Sequence, residues 1–125
     1  MKFINKRQVL LLHKELIKNF GGSFGVRDEN LLDSSLKAPF QTFDNRDLFP
    51  SLISKAARLG YGIISNHPFV DGNKRTGTHL MLLFLAINGV ELSYNDEDLI
   101  NIIMKVASSE ITAKDLETWI EDRNI

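Results

Sequence analysis

Cysteine is absent from the chain, so it has no disulfide framework and no thiolate chemistry, which fits a reducing cytosol. Long apolar runs are missing too. The longest, Leu80 to Ile87, is far too short to span a bilayer. The polar stretch Met1 to Gln8 is not followed by a signal-peptide cleavage pattern. Neither sign of charge dominates: 15 Lys and Arg stand against 16 Asp and Glu, for a net charge of -1. That balance argues against a chain built to coat nucleic acid through a basic surface. There is no internal repeat and no Walker-type G-x-x-x-x-G-K-[ST] run. Gly60-Tyr61-Gly62 with Ser65 falls short of a dinucleotide fingerprint and lies in a helical pattern with no strand before it. His13 and His79 stand in no metal-ligand spacing such as H-E-x-x-H, and neither is assigned a function. The expectation is one cytoplasmic domain, 1–125, with no membrane contact and no direct nucleic-acid partner. At 43% hydrophobic residues, 125 residues suffice for one sizeable core.

The apolar spacing is mostly helical. Val9, Leu12, Leu16 and Phe20 recur at three- and four-residue steps, so Lys6 to Phe20 reads as a first helix that Gly21-Gly22 stops. Asp28 can cap a second helix carrying Leu31, Leu32 and Leu36, which Pro39 ends. Phe40 to Pro50 reads as an irregular connector. Ser51 can cap a third helix, to about Asn66, with Ala56, Ala57, Ile63 and Ile64 turned inward. A fourth runs from about Asn73 to Ile87. Its Leu80 to Ile87 is apolar all round, so it is expected at the centre of the domain. Asn88-Gly89 stops it, and Val90 to Tyr94 is extended at most briefly. Asn95 with Asp98, and Thr112 with Asp115, resemble capping boxes for a fifth and a sixth helix. The expected fold is all-α, a compact six-helix bundle with one buried central helix.

What the chain does have is one dense run, His67-Pro68-Phe69-Val70-Asp71-Gly72-Asn73-Lys74-Arg75-Thr76. It lies where the fourth helix opens, so free backbone N–H groups and the helix dipole make an anion site there. Gly72 lets the backbone approach a phosphate closely. Lys74 and Arg75 are cations at a helix N-terminus, where they make sense if an anion compensates them; as a bland alternative they are a solvated pair. Asp71 can hold a magnesium ion bridging phosphates or cap the helix, and the two roles are compatible. Asn73 either binds phosphate or fixes the loop. His67 brings an imidazole that can take a proton from an attacking hydroxyl. Phe69 reads as a core anchor for the loop. A base, a metal ligand and an anion cradle are the parts that phosphoryl or nucleotidyl transfer needs.

His67-Pro68-Phe69-x-Asp71-Gly72-Asn73-Lys74-Arg75 resembles the signature of the Fic/Doc family in its Doc (death-on-curing) form. Gly21-Gly22, Gly25-Val26-Arg27-Asp28 and Leu31-Leu32 resemble the N-terminal portion of Doc-like toxins, so the resemblance covers nearly the whole chain. It implies a compact helical domain with His67 as general base for a target-protein hydroxyl. It implies Asp71 as the magnesium ligand, and Gly72, Asn73, Lys74 and Arg75 as the site for the phosphates of ATP. Typical Fic members carry Gly after the Asn and transfer AMP. Doc-like members carry Lys there and are similar to protein kinases, and Lys74 matches the second group. Typical AMP transferases also carry Arg three residues after the position of Arg75, where this chain has Thr78. The autoinhibitory Ser/Thr-x-x-x-Glu-Gly/Asn segment is approached by Ser93 to Glu97, but Asp98 follows. The resemblance therefore implies an external inhibitor, a cognate antitoxin, and a target on translation, elongation factor Tu. It also implies that Phe40 to Pro50 is a flap that aligns the target segment by strand addition. Two other readings remain beside the kinase: AMP transfer on the same fold, and a non-catalytic helical module that binds a protein partner or DNA.

Overall fold

Short polar side chains start five of the six helices. In the computed structural model, which describes all residues from Met1 to Ile125, α1 is Lys6–Phe20, α2 Glu29–Lys37, α3 Leu52–Asn66, α4 Asn73–Ile87, α5 Asp96–Ala107 and α6 Ala113–Asp122. Asn5, Asp28, Ser51, Asn95 and Thr112 each accept a first-turn N–H of the helix that follows. The pair Thr112 and Asp115 closes a full capping box. The pair Asn95 and Asp98 closes only half of one: Asn95 accepts from the Asp98 N–H at 2.8 Å, while the Asp98 carboxylate faces Arg123 at 3.6 Å. The exception is α4, which starts at Gly72 with no side-chain cap.

The domain is the expected six-helix all-α bundle, but its central helix is α3 rather than α4. Helix α3 packs against α2, α4, α5, α6 and the turn of 3₁₀ helix at Ala38–Phe40. Helix α4 buries Leu80, Met81, Phe84 and Leu85 on one side, while Ala86 is exposed and Leu83 is 41% exposed. The polar residues of α3 disguise its depth. Lys55 is only 3% exposed because its ammonium group is held by Asp47 at 3.1 Å and by the carbonyl of Phe49.

Helices α3 and α4 run side by side at very short range. A Cβ on Gly77 would stand 2.7 Å from Ile64 Cγ1 and 3.1 Å from the Gly60 carbonyl, so only glycine fits. This contact holds the six-residue connection between the two helices close against the start of α4.

The connector after α2 is more ordered than expected. Thr42–Phe43 (β1) pairs antiparallel with Arg46–Asp47 (β2). Asp44 and Asn45, both with positive φ, form the two-residue turn that suits such a hairpin. Near the C-terminus, Leu92 bridges Asn124, and Ser93 N–H donates to the Arg123 carbonyl at 2.7 Å. No helix is long and apolar enough to cross a membrane.

Candidate functional site

The run His67 to Gly72 is fixed at both ends by residues far away in sequence. His67 ends α3 in the left-handed region, φ 49° and ψ 55°, which costs about 1–3 kcal/mol for a side-chain-bearing residue. Arg27 offsets that cost. Its guanidinium donates to the carbonyls of His67 at 2.7 Å and Asn66 at 2.9 Å, where α3 has unpaired carbonyls and a negative dipole end. The Arg27 and Asp28 N–H groups both donate to the Pro68 carbonyl, and Val70 N–H donates to Gly25. The segment Gly25 to Asp28 is thereby laid along the loop, bridged at Val26 and Phe69.

Phe69 is fully buried, as expected of an anchor. Asn73 takes the second of its two foreseen roles: its side chain accepts from the Phe69 N–H at 2.9 Å and donates to the Phe69 carbonyl at 3.0 Å. That leaves its backbone N–H, not its amide, as the group open to a ligand. Asp71 does not cap α4. Its carboxylate accepts the Gly72 N–H at 2.9 Å on one oxygen and the Ser23 N–H at 3.1 Å on the other. Gly72, at φ 76°, turns the chain into the helix.

Beyond this turn the N–H groups of Asn73, Lys74 and Arg75 have no acceptor in the chain, since the first helical bond is Thr76 N–H to the Gly72 carbonyl. Lys74 and Arg75 are in no ion pair, although five ion pairs form elsewhere. Lys6, by contrast, lies between Glu29 and Asp33 at 2.8 and 2.7 Å. The Arg75 guanidinium sits 4.4 Å from the centre of the exposed Phe20 ring, and Lys74 Nζ is 3.9 Å from Met104 Sδ.

These groups open onto a cleft of about 760 Å³. One wall holds His67, Asp71, Gly72, Asn73, Lys74 and Arg75, all six positions singled out from sequence, with Thr78 and His79 beside them. The facing wall is apolar, from Leu99, Ile100, Ile103, Met104 and Ala107 of α5. No residue of Phe40 to Pro50 lines it. A cleft with free N–H groups and unpaired cations on one side, and apolar side chains on the other, suits an anionic ligand with a flat apolar part. Nowhere do three His, Cys, Asp or Glu side chains gather about a metal position. Asp71 is the one carboxylate lining the cleft, so it would fit magnesium only as a single protein ligand.

Sequence reasoning missed His13, Ser23, Arg27 and the α5 wall. His13 left a signal: it shares the buried face of α1 with Val9, Leu16 and Ile17. A polar ring in that phase requires a partner. The α5 residues gave none, because their apolar spacing is what any packed helix shows.

Comparison with known proteins agrees with this geometry. A model of the Fic/DOC family matches residues 3–85, which span α1 through most of α4 and contain the whole loop. "Toxin Doc" of Mycolicibacterium smegmatis is 44% identical over 87 residues, covering 66% of this chain and 67% of that protein. "Protein kinase doc" of Escherichia phage P1 is 28% identical over 115 residues, covering 90% of this chain and 87% of that protein.

Proposed function

The chain belongs to the Fic/DOC family, and from that premise we propose that it is the toxin of a toxin–antitoxin system that moves the γ-phosphate of ATP onto a hydroxyl of a target protein. The observation that carries the reading is the start of α4. It is the one helix start left uncapped, it bears two unpaired cations, and it shares a cleft with an exposed imidazole.

The chemistry follows from these groups. The phosphates of ATP accept from the free N–H groups of Asn73, Lys74 and Arg75, beside the turn at Gly72, whose own N–H is held by Asp71, and are neutralised by the two side-chain cations. Asp71 would hold magnesium, which would supply charge neutralisation for the phosphates. The apolar wall of α5 takes the base. His67 removes the proton of the target hydroxyl as its oxygen bonds to the γ-phosphorus. The bond from that phosphorus to the β–γ bridging oxygen breaks, and ADP leaves with the electron pair.

Lys74 and Thr78 favour this reaction over AMP transfer, by the resemblance set out above, and one relative bears the name of a protein kinase. The proposed target is elongation factor Tu, so that modification stops translation in the cytoplasm. The proposed inhibitor is a cognate antitoxin that closes the same cleft. The deciding experiment incubates the protein with magnesium and elongation factor Tu, with ATP labelled at either the α or the γ phosphate. Label from γ, lost in His67→Ala, is expected. Label from α would replace phosphorylation by AMP transfer, and label from neither would remove this target.

A further inference from the structure

We propose that His13 of α1 is a positioning residue that sets the orientation of Asp71 and of the first N–H groups of α4; this rests on the reading of Asp71 as the magnesium ligand. The His13 ring is 3% exposed and lies flat on Phe69, with centroids 3.9 Å apart and planes 7° from parallel. Its Nε2 is 2.8 Å from the Asp71 carbonyl oxygen. A carbonyl only accepts, so Nε2 carries the proton. A Cβ on Gly72 would stand 3.7 Å from the same nitrogen. One buried ring thus touches loop positions 69 and 71.

The consequence comes from the planar trans peptide. Its carbonyl and its N–H point in opposite directions. With the Asp71 carbonyl turned inward to His13, the Gly72 N–H is turned outward. There it donates to Asp71 Oδ1 at 2.9 Å, which helps hold the carboxylate at the cleft. The same peptide plane leads into α4, so it also aims the free N–H groups that follow. An apolar side chain would fill the space of His13 but leave the inward-turned Asp71 carbonyl without the donor it has at 2.8 Å.

The test compares His13→Phe, which keeps the stacked ring and removes the donor, with His13→Gln, which keeps a donor of similar reach and gives up the stack. Manganese binding in the presence of ADP is read by electron paramagnetic resonance, beside circular dichroism, melting temperature and the kcat and KM of phosphate transfer. We expect His13→Phe to fold and to lose affinity for manganese by about 10- to 100-fold, as outer partners of metal ligands do, with the loss in kcat rather than KM. His13→Gln is expected to recover part of both. In the unsubstituted protein, nitrogen NMR is expected to show the proton of His13 on Nε2. A proton on Nδ1, manganese affinity unchanged in His13→Phe, or no manganese binding by the unsubstituted protein overturns the proposal. Unsubstituted protein that binds manganese but transfers no phosphate removes the kinase reading alone, and the affinity and tautomer still decide the role of His13.

Discussion

Helices α3 and α4 are equally long and lie against each other, yet they begin in opposite ways. At α3, Ser51 and Ser54 satisfy each other's backbone N–H groups at 2.9 Å, so the start is capped from within the chain. At α4, Gly72 offers no side chain, three N–H groups stay free, and Lys74 and Arg75 add positive charge where the dipole is already positive. The first start is built for stability alone. The second gives up local stability, and something from outside the chain must complete it. Local rules broken together at one place, and kept elsewhere, mark where function lies.

The comparison breaks most visibly at His67. Replacing it with Ala is expected to lower phosphate transfer by about 100- to 10,000-fold, the usual share of a general base. The melting temperature should barely move, because the His67 imidazole makes no hydrogen bond within the chain. A steep loss of stability would mean the residue is structural. Phe69→Ala should do the reverse and cost about 3–5 kcal/mol in a denaturant titration, through the cavity left under the loop. Arg27→Met removes two charge-assisted bonds from the end of α3. About 1.5 kcal/mol is expected, the low end for such bonds because Arg27 is exposed, with transfer reduced as well. Unchanged transfer in this variant would show that His67 needs no such anchor. Ser51→Ala sharpens the contrast: about 1 kcal/mol of stability should go, with transfer intact. The smallest effect is the most pointed. Lys74→Met should stabilise the ligand-free protein by about 0.3–1 kcal/mol while weakening ATP binding in calorimetry. A loss of stability there would mean that Lys74 is not at odds with the helix start.

Much of this was readable in the chain because it rests on short-range physics. The ends of α1 and the caps at Asp28, Ser51 and Thr112 depend on neighbours within four residues, and His67, Asp71 and Gly72 to Arg75 lie close together in one short run of sequence. What was not readable depends on distant partners. The depth of α3 is hidden by Lys55, whose charge is cancelled by Asp47 and Phe49 across the hairpin base. The Asn95 box fails on one side because Arg123 draws the Asp98 carboxylate away. His13 proved tied to Asp71, 58 residues away; its phase on α1 called for a partner but did not say which.

The stitching of the loop also sets when the site can exist. His13 meets Asp71 across 58 residues of chain, and Arg27 meets His67 across 40. Closing loops of that size costs entropy that only packing of α1, α2 and α3 together repays. A ribosome that has not yet released Asp71 has made no site, and one that has just done so still holds an open loop. The cleft is therefore assembled late, as a product of the whole domain, and the His67 run alone does not make it.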